Sequence, residues 1–282
     1  MKTIWIVVPC YNEEEVLPET SRQLKAVMNS MIEKGKISPE SKITFVNDGS
    51  KDGTWDIISS LCAEDSLFAG INLSRNRGHQ NALLAGLMTA KKYADAAISL
   101  DADLQDDVDV VEKMVDNFLA GDDIVYGVRS SRKTDTFFKR FTAEGFYKFM
   151  AAMGVEIVFN HADYRLMSRR ALEALSEFEE VNLFLRGIVP QIGFKTSTVE
   201  YERKERLAGE SKYPLKKMIS FAFEGITSFS VKPLKMATTL GIFSLIVCFA
   251  MIIYCIVSKA TGRAVAGWAS IGASIWALGG LQ

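Results

Sequence analysis

The sequence has few cysteines, and their spacing excludes two common uses of that residue. Only Cys10, Cys62, Cys248 and Cys255 occur among 282 residues, and no two of them form a C-x-x-C pair. A chain of this length does not depend on a disulfide framework, and the spacing fits no zinc site. We therefore expect the part of the chain that holds Cys10 and Cys62 to lie in a reducing, cytosolic compartment.

The sequence also has almost no net charge, only two histidines and no phosphate-binding glycine motif after its first apolar segment. The 33 Lys and Arg residues nearly balance 34 Asp and Glu residues, giving a net charge of −1, whereas a general nucleic-acid binder carries a basic excess. No G-x-G-x-x-G follows the first apolar segment, which disfavours a dinucleotide-dependent dehydrogenase. The only histidines, His79 and His161, have no metal-ligand spacing, so we expect both to be structural or peripheral. The apolar start of the chain is too short for a signal peptide.

Hydrophobic residues are concentrated near the end of the sequence. From Met236 to Val257 there is no charged residue, and about 20 apolar residues suffice for a helix to cross a membrane. We predict a first transmembrane span at residues 236–258 and a second, truncated one at residues 264–282. Residues 214–235 carry apolar side chains near helical spacing, which is typical of an amphipathic segment at a membrane interface. The alternative for the first span is a buried core helix. The alternative for residues 214–235 is a surface helix that packs on a domain.

The first 213 residues alternate between strand and helix patterns, which predicts one α/β domain with a mostly parallel sheet. The predicted strands are residues 3–8, 42–46, 69–73, 96–100, 123–127 and 194–199. The predicted helices are residues 17–34, 53–62, 80–93, 108–120 and 136–153. In such a sheet the ligand crevice lies at the carboxyl ends of the strands.

Polar residues follow each of the first four predicted strands. The segments are P-C-Y-N-E-E (9–14), V-N-D-G-S-K-D-G-T (46–54), L-S-R-N-R-G-H-Q-N-A (73–82) and D-A-D-L-Q-D-D (101–107). A turn or a helix cap explains any one of them, but coincidence across four is a poor explanation. We predict a ligand site at this edge of the sheet.

Two aspartates of the fourth segment predict a metal site. Asp101 and Asp103 are separated by one residue, so in an extended strand end both side chains point to one face. Adjacent carboxylates repel each other unless a cation lies between them. Mg²⁺ or Mn²⁺ would suit these oxygens and share its remaining positions with substrate phosphates. Gln105 adds a neutral oxygen, whereas we expect Asp106 and Asp107 to start the next helix.

Basic side chains follow in the second half of the domain and predict a second phosphate site. Arginine matches phosphate oxygens with two parallel hydrogen bonds, so several of these residues are expected to surround the phosphate. They are Arg129, Arg132, Lys139, Arg140, Arg165 and the segment E-R-L-A-G-E-S-K-Y (205–213). The alternative is a solvated basic surface.

Five segments in this order resemble the inverting family 2 glycosyltransferases, and most closely those that act on polyprenyl phosphates. They are P-C-Y-N-E-E, V-N-D-G-S-K-D-G-T, D-A-D-L-Q, D-Y-R-L-M-S-R and G-E-S-K-Y. The resemblance covers nearly the whole chain and implies a GT-A fold. One departure is Asn47, where the family often has a first aspartate before the one at Asp48.

The resemblance implies roles for individual residues. The nucleotide site would be lined by Pro9, Tyr11, Asn12 and Glu13, with Asp48 at the base and Arg75 and Gly78 near the nucleotide or its ribose. The metal and diphosphate would be held by Asp101, Asp103 and Gln105. The acceptor phosphate would be received by Arg129 and Arg140, which with Asp103 are the predicted catalytic residues. A gating loop over the donor would carry Arg206, Ser211 and Lys212.

The resemblance also implies the reaction and its partners. We expect one glucose to move from UDP-glucose, with inversion, onto undecaprenyl (bactoprenyl) phosphate at the cytoplasmic side of a multi-pass inner-membrane protein. The expected partners are the nucleotide sugar, the lipid acceptor and membrane lipids, without nucleic acid, and a homo-oligomer is an open alternative. A GDP-mannose-dependent transferase and a processive polysaccharide synthase are alternatives, although the Q-x-x-R-W signature of the latter is absent. A non-catalytic membrane scaffold or transporter subunit is the alternative from another class.

Overall fold

The chain divides into two compact units, which are described separately. The computed structural model describes residues 1–129, 161–178, 185–202, 232–263 and 265–282, without the side chains of residues 161, 162 and 233. The first unit comprises Met1–Ala151 and Val155–Gly225, and the second comprises Ala152–Gly154 and Ile226–Gln282. The predicted helix at 136–153, the predicted domain boundary at 213 and most of the predicted amphipathic segment lie outside the described residues. The predicted division into domains therefore stays a prediction.

The first unit alternates strands and helices over its first half. In chain order these elements are β1 (Ile4–Cys10), α1 (Leu17–Glu33), β2 (Lys42–Asn47), α2 (Thr54–Glu64), β3 (Phe68–Asn72), α3 (His79–Tyr93), β4 (Ala96–Ser99), α4 (Val110–Leu119) and β5 (Ile124–Arg129). The later elements are β6 (His161–Ser168), α5 (Arg169–Leu175), α6 (Leu185–Ile188), a 3₁₀ turn (Val189–Ile192) and β7 (Thr196–Tyr201).

These strands form one sheet of seven strands in the order β3-β2-β1-β4-β6-β5-β7. The pairs among β3, β2, β1 and β4 are parallel, as is the β5–β7 pair. Only β6 among the seven runs antiparallel to both of its neighbours. The predicted α/β fold with a mostly parallel sheet is confirmed, and each of the six predicted strands lies within a few residues of an observed one.

The strand β6 was not predicted, because its charged residues hide its pattern. Asp163 and Arg165 are spaced by two and share one face of the strand, yet both are buried, at 5% and 2% exposure. Their side chains form an ion pair with each other. A buried charge is tolerated when it is paired, so this strand occupies the middle of the sheet despite its polar sequence.

The core lies on both faces of β1, all seven residues of which are buried. Helix α1 packs there through Leu17, Leu24 and Met28. On α3, Gly86 permits a close approach to the sheet, because a Cβ atom at this position would lie 2.3 Å from Val7 Cγ1. The sequence of strands and crossover helices directs the carboxyl ends of β1, β2, β3 and β4 to one edge.

The second unit contains two apolar helices, α7 (Lys232–Ala260) and α8 (Trp268–Leu281). Within α7, residues Leu234–Ala260 form a segment of 27 residues that is long and apolar enough to cross a membrane, and its most apolar 18-residue stretch has a mean hydropathy of 2.8. The shorter α8 packs against α7, and the rings of Tyr254 and Trp268 meet edge to face with centroids 6.4 Å apart. These helices occupy the two segments in which spans were predicted.

Candidate functional site

The loops after β1 and β2 are fastened to each other by hydrogen bonds. The backbone N–H of Asn12 donates to Ser50 Oγ at 3.0 Å, and the N–H of Lys51 donates back to Asn12 Oδ1 at 2.9 Å. The N–H of Glu13 donates to Thr54 Oγ1 at 2.9 Å. Asn12 adopts a φ of +52°, a left-handed conformation that asparagine tolerates better than most residues. The two loops therefore form one rigid surface at the end of the sheet.

This surface holds the first group of predicted nucleotide-site residues. Pro9 is the second-last residue of β1 and is buried, whereas Tyr11, Asn12 and Glu13 are half-buried. The structure brings these four residues together at the edge predicted for the ligand. Their roles towards a nucleotide stay predictions.

Asp48 joins the second loop to the third. Its buried carboxylate accepts hydrogen bonds from the backbone N–H groups of Arg77 at 2.7 Å and Gly78 at 2.9 Å. The adjacent Gly49, with a φ of +64°, lets the third loop pass so close that a Cβ there would meet its backbone. Arg75 and Gly78 belong to this third loop and are exposed at the rim of the site. Asp48 supports this loop, and its predicted contact with the base stays a prediction.

The predicted metal ligands lie in a turn, not in an extended strand end. Strand β4 ends at Ser99, Ala102 and Asp103 form a turn, and Leu104 after it has a φ of +54°. The argument that alternation places Asp101 and Asp103 on one face was therefore wrong, because the backbone turns between them. The turn itself keeps the predicted ligands together, and Asp103 Oδ1 accepts the backbone N–H of Gln105 at 3.2 Å.

Asp101 lies in a strongly acidic environment. The pKa of its carboxyl is raised to about 6, mainly by burial and further by the charges of Asp106, Asp163 and Asp103, while His79 opposes the rise. The side chain of Asp101 nevertheless keeps 37% of its surface exposed. A partly exposed carboxylate among three others is a site at which a cation is favoured.

His79 lies beside the predicted metal ligand Asp101, so the prediction that it is peripheral was wrong, while a structural role stays a prediction. Its Nε2 atom lies 3.5 Å from Asp101 Oδ1 and 3.8 Å from Asp163 Oδ2. His79 is the first residue of α3, so the third loop delivers it to the edge where the aspartates lie. Its position within the polar segment that follows β3 was the available signal. The side chain of His161 lies outside the described part of the chain.

Asp163 is the centre of a buried charge network that the sequence did not reveal. Besides Arg165, its carboxylate accepts hydrogen bonds from Arg186 Nη2 at 3.0 Å and Gln80 Nε2 at 3.3 Å. Burial alone raises the pKa of Asp163, but the guanidinium groups of Arg186 and Arg165 hold it well below its usual range. Arg165 is buried inside this network, so the prediction that it surrounds a substrate phosphate was wrong.

Asp106 does not start a helix, contrary to prediction, because it is buried beside Arg129. The helix α4 begins at Val110, with Asp109 at its N-cap. Asp106 is 3% exposed, accepts a hydrogen bond from the hydroxyl of Tyr201 and lies 3.5 Å from Arg129 Nη2. Asp107 also precedes the helix, and its carbonyl oxygen accepts the hydroxyl of Tyr164 at 2.9 Å.

Several predicted residues lie outside the described residues, and their roles stay predictions. They are Arg132, Lys139, Arg140, Arg206, Ser211 and Lys212. Of the predicted acceptor residues, the structure describes Arg129, which ends β5 with 30% of its side chain exposed.

The chain is similar to known glycosyltransferases over nearly its whole length. The model of the family described as glycosyl transferase family 2 matches residues 5–176. The uncharacterized glycosyltransferase YkoT of Bacillus subtilis is 55% identical over 98% of this chain and 82% of its own length. The bactoprenol glucosyl transferase of Shigella phage SfV is 40% identical over 99% of this chain and 89% of its own length. The prophage bactoprenol glucosyl transferase homolog of Escherichia coli K12 is 41% identical over the same shares.

A solved structure has the same fold at low sequence identity. Glucosyl-3-phosphoglycerate synthase from Mycobacterium tuberculosis, solved with Mn²⁺, UDP and phosphoglyceric acid, aligns with a TM-score of 0.52. It is 15% identical and covers 80% of this chain and 76% of its own. The similarity supports the GT-A-like arrangement of the α/β domain.

Proposed function

Because the chain belongs to glycosyl transferase family 2, we propose that it moves a single sugar from a nucleotide-sugar donor to a polyprenyl phosphate. The resemblance carried by the five sequence segments is confirmed by the family match and by relatives at about 40% identity. Those relatives include bactoprenol glucosyl transferases that align with 99% of this chain, which supports undecaprenyl phosphate as the acceptor and UDP-glucose as the donor.

The observation that carries the proposal is the meeting of an acidic and a basic subsite at one sheet edge. Asp101 and Asp103 follow β4, and the exposed face of Arg129 lies at the end of β5. The two subsites share a loop, since Asp106 lies next to Arg129 at 3.5 Å. A donor diphosphate with its cation and an acceptor phosphate need this combination of charges side by side.

The acidic subsite fits Mg²⁺ or Mn²⁺. Asp101, Asp103 and Gln105 offer carboxylate and amide oxygens, the ligands that such hard cations prefer. Within the described ranges, no group of three or more His, Cys, Asp or Glu side chains is placed to hold a metal alone. Such cations commonly take their remaining ligands from water and substrate phosphate. When bound, the cation would supply positive charge that offsets the charge developing on the departing nucleoside diphosphate.

The proposed transfer needs no dedicated general base. A phosphate monoester has a second pKa of about 6, so the acceptor oxygen is already an anion at neutral pH. Arg129 would hold this anion near the anionic donor, and its fork of N–H groups would orient the attacking oxygen. Attack opposite the leaving group would invert the anomeric carbon and yield a β-linked lipid phosphosugar from an α-linked donor.

The apolar helix α7 supports attachment to a membrane, where a lipid phosphate resides. A helix of 27 residues is about 40 Å long, which exceeds the roughly 30 Å of a hydrocarbon core. Its apolar side chains are exposed, with Leu240 at 70% and Phe243 at 64%. We propose that α7 and α8 anchor a multi-pass protein of the inner membrane, with the first unit at the cytoplasmic surface. The protein should stay in the membrane pellet after carbonate extraction, and its release would contradict the anchor.

The function is tested with the purified full chain, undecaprenyl phosphate and radiolabelled UDP-glucose or GDP-mannose. Label should move to the lipid only with Mg²⁺ or Mn²⁺ present, and it should stop at one sugar. If label moves from GDP-mannose and not from UDP-glucose, the donor is GDP-mannose. Products with a growing number of sugars would indicate a processive synthase.

We expect Asp103→Ala to lower this transfer by about a thousandfold, even in excess Mg²⁺, because charge stabilisation of several kcal/mol is lost. Asp109→Ala is the matched control, since Asp109 is an exposed aspartate of the same loop between β4 and α4 and its side chain makes no capping hydrogen bond. Unchanged turnover in Asp103→Ala would contradict the proposal that Asp103 holds the metal ion.

A further inference from the structure

The basic subsite is built around three side chains from three separate elements. Arg129 ends β5 and Tyr201 ends β7, and the two residues are paired across these parallel strands. Asp106 comes from the loop between β4 and α4. The Tyr201 hydroxyl donates to Asp106 Oδ1, while Arg129 Nε contacts the same hydroxyl at 3.3 Å and Arg129 Nη2 lies 3.5 Å from Asp106.

The order of these distances matters for the charge on Arg129. The short hydrogen bond to the buried Asp106 carboxylate comes from the tyrosine, whereas the arginine makes only the longer contact of 3.5 Å. Burial raises the pKa of Tyr201, and the charge of Asp106 raises it further, so the hydroxyl keeps its proton at neutral pH and remains a donor. Tyr201 thus takes the closest position on this carboxylate, and Arg129 keeps the longer contact.

Arg129 also keeps part of its hydrogen-bonding capacity. Its side chain is 30% exposed, and within the described residues no partner is seen for its Nη1 atom. A guanidinium that is held on one edge and unoccupied on the other presents a fork suited to two phosphate oxygens. Holding it in advance also removes the cost of ordering a long side chain when the ligand binds.

We propose that Asp106 and Tyr201 are positioning residues that fix the guanidinium of Arg129 for the acceptor phosphate. This inference rests on the proposed function and goes beyond it, because it assigns the orientation of the acceptor subsite to two side chains that do not contact the substrate. Asp106 lies three residues after Asp103, so one loop carries a donor-side residue and the anchor of the acceptor subsite.

The variant Tyr201→Phe tests the proposal, because it removes one hydroxyl and keeps the ring. Without that hydroxyl, Arg129 should move closer to Asp106 and shorten the contact that is 3.5 Å in the wild type. We expect the KM for undecaprenyl phosphate to rise about tenfold, the effect of losing one hydrogen bond to a charged group. The Kd for UDP-glucose should stay unchanged. Asp106→Asn should raise the same KM and serves as the second variant.

A double-mutant cycle distinguishes positioning from a general structural effect. In an Arg129→Gln background, Tyr201→Phe should no longer raise the acceptor KM, since its action passes through the arginine. An equal rise in both backgrounds would overturn the inference, and so would an unchanged KM in the single variant. If the wild-type protein transfers no sugar to polyprenyl phosphate, the proposed function fails as well, and that result is seen before any variant is compared.

Asp123→Asn is the matched control. Asp123 is also a buried carboxylate that accepts a hydroxyl hydrogen bond, from Ser168 at 2.9 Å, and pairs with an arginine, Arg170. It lies before β5, at the opposite end of that strand from Arg129. Its loss should lower the unfolding temperature without changing the acceptor KM, and a matching KM rise in this variant would contradict a specific role for Asp106 and Tyr201.

Discussion

The close approach between the loops after β2 and β3 gives the sharpest test of how the donor side is built. Gly49 has a φ of +64°, and a Cβ atom there would lie 2.5 Å from the backbone nitrogen of Asn76 and 2.6 Å from the carbonyl carbon of Arg75. Gly35 has nearly the same φ, +65°, with nothing within 4 Å of the added atom. Alanine at either position meets the same backbone strain, but only Gly49→Ala also displaces a loop.

The expected magnitudes follow from these two contributions. Left-handed backbone costs an L-residue about 1–2 kcal/mol, which is the whole expected loss for Gly35→Ala. Forcing an extra methyl group against packed backbone adds about 1–3 kcal/mol, so Gly49→Ala should lose about 2–5 kcal/mol. In a unit of this size each kcal/mol lowers the unfolding temperature by roughly 2–4 °C.

The displaced loop should also affect ligand binding. Moving Arg75 and Asn76 strains the hydrogen bonds from Arg77 and Gly78 to Asp48, which are 2.7 and 2.9 Å long. We expect the affinity for UDP-glucose, measured by calorimetry with Mg²⁺, to fall about tenfold, the loss of about one charged hydrogen bond.

Thermal unfolding and calorimetry should therefore separate the two alanine variants. Gly35→Ala should bind the donor as the wild type does. Equal unfolding temperatures for the two variants, together with unchanged donor binding in Gly49→Ala, would refute the reasoning.

Two further predictions concern the core of the first unit. Asp163→Asn leaves Arg165, 2% exposed, without its carboxylate and should cost about 3–5 kcal/mol at neutral pH by urea denaturation. Because the pKa of Asp163 is depressed in the folded state, its contribution is complete above the unfolded value of about 3.9 and is lost as the pH falls through the folded value. The two stability curves should converge at strongly acid pH, and equal stability at pH 7 would contradict the pairing. Gly86→Ala should lose about 1–3 kcal/mol, because its Cβ would lie 2.3 Å from Val7 Cγ1. Combining it with Val7→Ala should give a less than additive loss, and strict additivity would contradict the contact.

Local patterns in the sequence were sufficient for the layout of the domain. Strands β1, β2 and β4 are buried apolar segments, so short apolar runs between helical patterns located them. The polar residues that follow them then had to meet at one edge, because parallel strands share their carboxyl ends. The family resemblance and the loops that carry Asp48, Asp101 and Asp103 followed from the same local signals.

The pairing of charges was decided only by the tertiary structure. Asp163 and Arg186 are 23 residues apart, and Asp106 and Tyr201 are 95 residues apart. A charged residue looks the same in the sequence whether it faces solvent or a buried partner, so Asp106 was assigned to a helix start and Arg165 to a phosphate. His79 was misjudged for the same reason, since its partners come from the loop after β4 and from β6.

The physical reason is the range over which each effect acts. Hydrophobic periodicity and turn chemistry depend on neighbours within a few residues, and the sequence therefore determined the strands β1 to β5 and the helices α1 to α4. The free energy of a buried charge depends on which opposite charge lies within a few ångströms. That partner is chosen by the order of the strands, and in this protein the antiparallel insertion of β6 between β4 and β5 brings Asp163 and its arginines to the site.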